Sequence, residues 1–210
     1  MAYSDFTLDK AVRQLGVKVI ERRNIFTDVK DGEVSAYLKT GMERYSAMST
    51  ISEKARSERY IAPILDDVFS QIVEVFTIFS GENFDVDKGL KLNGVADFLI
   101  CICTTKILIQ VPIIAVAESK RNTPEDGLGQ CIAELYAAAL FNKSDNNSNI
   151  QKLFGITTNG NEWMFGEYIV NEKLFIYDPH KYTIENLPRI IGILSFMRDE
   201  ALRMYDNKVN

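Results

Sequence analysis

Apolar residues recur along the chain at two different periods. Ile61, Ile64, Leu65, Val68, Phe69, Ile72, Val73 and Phe76 follow the three-four spacing of an amphipathic helix. Pro63 belongs in the first turn of that helix, so 52–60 reads as a separate helix or a kinked extension. If the helix runs back through it, Glu58 falls on the apolar stripe three residues before Ile61. A carboxylate placed there needs a partner or a chemical task. Upstream, Thr7 suits the N-cap of a short helix ending near Gly16, and 32–48 predicts another. Residues 1–50 thus read as an N-terminal helical extension packed on a core domain of 51–210.

After Gly81 the period changes. Segments 84–92, 95–103 and 107–118 read as strands, with turns at Asn93-Gly94 and Thr104-Thr105-Lys106. The stretches 98–103 and 113–117 are almost continuously apolar, as in strands covered on both faces. An alanine-rich helix over 128–141 follows, then a polar surface loop over 142–151. Segments 152–158, 162–170 and 174–177 predict three more strands, the first two joined at Thr158-Asn159-Gly160-Asn161, and 184–205 predicts a closing helix. Helices, three strands, helix, three strands, helix: this order predicts an α/β sandwich with a central mixed sheet flanked by helices, in one globular unit.

Composition narrows the classes. No apolar run reaches the roughly 18 to 20 residues of a membrane helix, and Met1-Ala2-Tyr3-Ser4-Asp5 opens no secretory signal. Cys101 and Cys103 lie two apart on a predicted strand, a poor disulfide geometry, and Cys131 has no companion for a zinc site. Reduced core thiols and a cytoplasmic location are the expectation. The net charge of −5 supplies no basic surplus of the kind that marks nucleic-acid binders.

The candidate chemistry sits at strand ends. Asp97 opens a strand that is apolar thereafter, and Glu118-Ser119-Lys120 closes the next one. A period of two puts Glu118 and Lys120 on one face, with Cα atoms roughly 6.5 to 7 Å apart. If the two strands pair as an antiparallel hairpin, Asp97 arrives beside Glu118. Two carboxylates and an ammonium so gathered suit Mg²⁺, which takes one or two carboxylates and keeps several waters. Such an ion polarises a phosphodiester and lowers the pKa of an attacking water, while the lysine offsets developing negative charge. The plainer reading of Glu118 and Lys120 is a strand-end ion pair, worth little, which leaves Asp97 unexplained.

Gly94-Val95-Ala96-Asp97 followed by Glu118-Ser119-Lys120 resembles the PD-(D/E)xK nuclease superfamily. Ser52 to Glu58 before Ile61-Ala62-Pro63-Ile64-Leu65, Gly127-Leu128-Gly129-Gln130-Cys131-Ile132-Ala133, and 154–163 look like a bacterial family within it, a similarity spanning nearly the whole chain. Ala96 stands where the superfamily's name has proline. The resemblance implies a restriction-endonuclease-like fold with an αβββαβ core, here carrying extra strands and terminal helices. It implies Asp97 and Glu118 as metal ligands and Lys120 as the catalytic lysine. Glu58 matches a helical glutamate that some members add to the site, and Gln130 a glutamine that some place near the metal or water. For Glu58 and Gln130 a solvent-side helix position explains the residues equally well. The implied function is a Mg²⁺-dependent nuclease hydrolysing DNA phosphodiester bonds, with Mn²⁺ as a possible substitute and a homodimer as a possible assembly. The alternative is a catalytically silent nuclease-fold protein that binds nucleic acid or a protein partner.

Overall fold

The computed structural model describes residues 2–72, 74–144 and 150–206. Thr7 caps helix α1 (Leu8–Leu15), its hydroxyl accepting from the Lys10 N–H, and Gly16 ends it in the left-handed region at φ 68°. A strand that the hydrophobic pattern missed follows, β1 (Lys18–Glu21), then α2 (Ala36–Ser46). β1 is short and mostly exposed, so it carries little periodic signal. The N-terminal segment joins the common core: Tyr3, Phe6, Leu15, Phe26 and Leu38 are buried with the sheet residues, and the Tyr3 hydroxyl donates to the Phe84 carbonyl at 2.8 Å.

The helical rod that precedes the central strands has three parts: α3 (Glu53–Arg56), a π turn (Ser57–Ile61) and α4 (Ala62–Phe69). The Ala62 N–H bonds back to the Ser57 carbonyl, five residues earlier. Pro63 has no N–H to continue an α-helical ladder, and the widened turn just before it absorbs that gap. The same turn carries Glu58 off the apolar stripe, and its side chain is 59% exposed. The expected stripe position for Glu58 is therefore corrected.

The rod also ends earlier than its stripe predicts. α4 stops at Phe69, Glu74 takes a left-handed φ of 69°, and Phe76 opens a strand, β2 (Phe76–Asn83). Val73, part of the predicted stripe, lies outside the described residues. The predicted strand over 84–92 is instead the connection from β2 to β3 (Val95–Ile102), folded back on itself through an isolated Asp87–Leu92 bridge. Helical and strand periods overlap in a short apolar run, and β-branched and aromatic Thr77-Ile78-Phe79 settle as strand. β4 (Ile113–Ser119) begins six residues later than expected, because 103–112 forms an extended loop.

α5 (Leu128–Lys143) follows a short 3-10 turn (Pro124–Gly127), and then come β5 (Lys152–Thr158), β6 (Glu162–Ile169), β7 (Leu174–Tyr177), β8 (Tyr182–Thr183) and α6 (Leu187–Asp206). The eight strands form one mixed sheet of order β1-β7-β6-β5-β4-β3-β2, with β8 pairing β6 off that path. β1 with β7 and β4 with β5 run parallel, and the other neighbours antiparallel. α5 packs against β4 and β5 and α1 packs on α5, while α6 packs with α4 and reaches β5 and β8. Every residue of β4 is buried, as expected of a central strand covered on both faces. The α/β class and the helix-flanked mixed sheet agree with the sequence. Among the described residues no helix is long and apolar enough to cross a membrane.

Two side chains fix where β4 starts and how closely α5 approaches. The Asn142 amide accepts from the Ile113 N–H at 2.8 Å and donates to the Ile113 carbonyl at 2.7 Å, so both backbone groups are satisfied at the buried start of the strand. Gly129 lets α5 touch the chain before α1, since a Cβ there would lie 2.3 Å from the Thr7 carbonyl carbon.

Candidate active site

β3 and β4 pair antiparallel with Phe98 opposite Ala117, and one step further sets Asp97 opposite Glu118. The Ser119 N–H donates to Asp97 Oδ2 at 2.8 Å, which pins the aspartate to the end of β4. The Lys120 N–H continues the parallel ladder to the Thr158 carbonyl of β5 at 2.8 Å. Its side chain folds back over the strand, and Nζ lies 2.6 Å from Glu118 Oε1. From α5, Gln130 Oε1 accepts from the same ammonium at 2.9 Å. The structure thus brings Asp97, Glu118, Lys120 and Gln130 together. Gln130 is buried rather than solvent-facing.

Gly127 explains the tight junction of strand and helix. A Cβ there would sit 3.2 Å from Lys120 Cγ and 3.3 Å from both Glu118 Cγ and Thr157 Cγ2. The glycine of the Gly-x-Gly-Gln stretch is what lets the start of α5 close over the two site side chains.

A residue that sequence reasoning missed completes the array. Glu134, one turn beyond Gln130 on α5, is fully buried, and its Oε1 accepts from Gln130 Nε2 at 3.0 Å. The signal was present: Glu134 is the only charged residue among 128–139, and glutamate is almost never fully buried unless paired. Burial, opposed by the Gln130 hydrogen bond and reinforced by Asp97, pushes Glu134 up to about 8. Burial pushes Glu118 well above the usual carboxylate range, with Glu134 and Asp97 adding to it and Lys120 opposing. Asp97 is raised by burial against the Ser119 N–H and Lys120. Burial pulls Lys120 down, but Glu118, Asp97 and Glu53 outweigh it and its pKa rises. Glu118 alone ion-pairs with Lys120, and Glu118 Oε2 and Glu134 Oε2 have no hydrogen-bond partner among the described residues. A cation placed beside these oxygens would favour their ionised forms and draw the raised pKa values back down.

On the solvent side, Asp97 and Ser119 open into a cleft of about 400 Å³ whose other wall is Glu53, Lys54, Ser57 and Glu58 from the helical rod. Glu58 stands on this rim, 3.8 Å from Lys54, and is not drawn in beside Asp97 and Glu118 as a third ligand. Among the described residues no three Asp, Glu, His or Cys side chains converge as a metal shell. Asp97 and Glu118 alone match the one or two carboxylates that Mg²⁺ takes.

Arg56 anchors the rod here, donating to the Arg121 carbonyl at 2.8 Å and to the Thr50 carbonyl at 2.8 Å, so it is held by backbone. His180 is exposed with its ring edge-on to Tyr182, and Trp163 is buried in the core. All three cysteines are free and buried.

No protein-family model, curated protein or solved structure matches the chain.

Proposed function

We propose that this protein is a Mg²⁺-dependent nuclease of the PD-(D/E)xK type that hydrolyses DNA phosphodiester bonds. The observation that carries the reading is the Asp97 carboxylate on the Ser119 N–H at the end of β4, next to Glu118, whose Oε1 holds the Lys120 ammonium and whose Oε2 has no partner among the described residues. The order α4, β2, β3, β4, α5, β5 supports a restriction-endonuclease-like core.

Asp97 and Glu118 would hold the metal, through the Glu118 oxygen left without a donor and the Asp97 oxygen not engaged by the Ser119 N–H. A bound Mg²⁺ supplies charge to polarise the phosphodiester and acidify a water. Lys120, anchored by Glu118 and Gln130, orients the attacking water and offsets charge developing on the phosphoryl oxygens. Lys54, on the cleft rim, offers the phosphate backbone a cation.

The test is cleavage of single- and double-stranded DNA with Mg²⁺ or Mn²⁺ by the wild type, Lys120→Ala and Asp97→Asn. Metal-dependent cutting that drops about 10²-fold or more in both variants is the expected result. Cutting that persists in both sinks the assignment. One observation favours a second reading, a silent fold that binds a partner: the cleft wall is itself acidic, with Glu53, Glu58 and Asp97 against Lys54. Metal-independent binding of DNA or protein without cleavage would favour it.

A further inference from the structure

Gln130 is asked to present an oxygen to Lys120, yet a glutamine amide has an oxygen and a nitrogen of nearly equal shape. An ammonium only donates, so an amide turned round would set N–H against N–H. The correct face is secured when the far side of the amide has an acceptor waiting for it. Glu134 stands there, four residues on along α5, the spacing that places two side chains on one helix face. Its carboxyl is fully buried on a stretch of α5 with no other charged residue, and a glutamate at that depth needs a partner or a task.

We propose that Glu134 is a positioning residue for the reaction at Lys120: it accepts from Gln130 Nε2, fixes the amide so that Oε1 faces the ammonium, and thereby holds Lys120 Nζ against Glu118. The chain runs Glu134 Oε1 to Gln130 Nε2 at 3.0 Å, Gln130 Oε1 to Lys120 Nζ at 2.9 Å, and Lys120 Nζ to Glu118 Oε1 at 2.6 Å. Its catalytic consequence rests on the nuclease reading, whereas the orientation of Gln130 does not.

The test compares Glu134→Gln, which keeps an acceptor, with Glu134→Leu, which removes it; Glu134→Met, unbranched and of similar length, replaces the leucine variant should that one not fold. Without metal or DNA, the side-chain amide protons of Gln130 are followed by NMR. They are protected from solvent exchange in the wild type and Glu134→Gln, and lose that protection in the apolar variants. In DNA cleavage, the apolar variants lose about 10- to 100-fold in kcat with KM nearly unchanged, and Glu134→Gln stays near wild type. A residue that only supported the fold would leave that kcat–KM split absent and the Gln130 amide protons protected in every folded variant. An apolar variant with wild-type kcat, or with Gln130 protons still protected, overturns the proposal. Should the wild type not cut DNA, the nuclease reading fails by itself, and the amide spectrum alone decides the role of Glu134.

Discussion

Replacing Glu134 with glutamine should remove a pH dependence that the wild-type fold carries. Burial is the main cause that lifts this carboxyl from 4.5 to about 8 in the folded chain. Its folded pKa is raised, so between those values the folded state keeps a proton that the unfolded state has already released. Stability therefore falls as pH rises through the window and levels off above about 8. Each pH unit of the interval is worth about 1.4 kcal/mol, so the whole of it amounts to about 5 kcal/mol, against a total stability of about 5 to 15. Glutamine does not titrate and still offers an oxygen to Gln130 Nε2. The two chains should thus be similar below about pH 4.5, with the variant ahead by about 3 kcal/mol at pH 7 and by about 5 near pH 9. Urea unfolding at about pH 5.5, 7 and 8.5 reads this difference from the midpoints, provided the slopes match. A gap between the two chains that stays flat across that range, or that closes as pH rises, would refute the burial argument.

Calorimetric titration with Mn²⁺ should show binding to the wild type and none to Glu118→Ala; equal binding by both would remove Glu118 from the metal site. Gly127→Ala pushes a methyl to 3.2 Å from Lys120 Cγ, and should cost about tenfold in cleavage but only about 1 kcal/mol in stability. Full activity in that variant would show that the junction of β4 and α5 has slack. Gly129→Ala drives a methyl into the Thr7 backbone at 2.3 Å and should cost about 3 kcal/mol, read as a lowered Tm. Asn142→Leu strands both backbone groups of Ile113 in the interior and should destabilise by about 2 to 4 kcal/mol in urea; a loss below 1 would mean the loop before β4 supplies other partners.

The parts of the fold legible in the sequence are those where one period acts alone. β5, β6 and β7 fall where alternation and the Asn159-Gly160 turn place them, and α1 is bounded by Thr7 and Gly16 as capping requires. The stretch from Phe69 to Val95 departs from its apolar pattern because Ile72 and Phe76 fit a helical stripe and a strand equally, and a left-handed Glu74 has no residue signature. The meeting of Asp97 with Glu118 was legible because two successive apolar strands pair most simply as an antiparallel hairpin, even across the longer loop that joins them here. Glu134 escaped notice for the opposite reason. Its role depends on depth within α5, and pattern alone does not distinguish a glutamate on the helix surface from one aimed inward at a neighbour four residues away. Glu58 shows the reverse error, since a three-residue spacing counts as one face only while the helix keeps its ordinary pitch.

The π turn at Ser57–Ile61 means that the rod holds one residue more than an unbroken α-helix needs between the same ends. Everything before that turn is set at an angle independent of the apolar stripe that follows it. Deleting a single residue there would restore regular winding, turn α3 by about 100° and draw it in by about 1.5 Å, while Ile61, Ile64 and Leu65 kept their seats in the core. Glu53, Lys54 and Glu58 would then face elsewhere. One wall of the cleft can therefore be re-aimed by a change of length instead of a change of side chain, with the opposite wall, Asp97 and Ser119, left standing on the sheet.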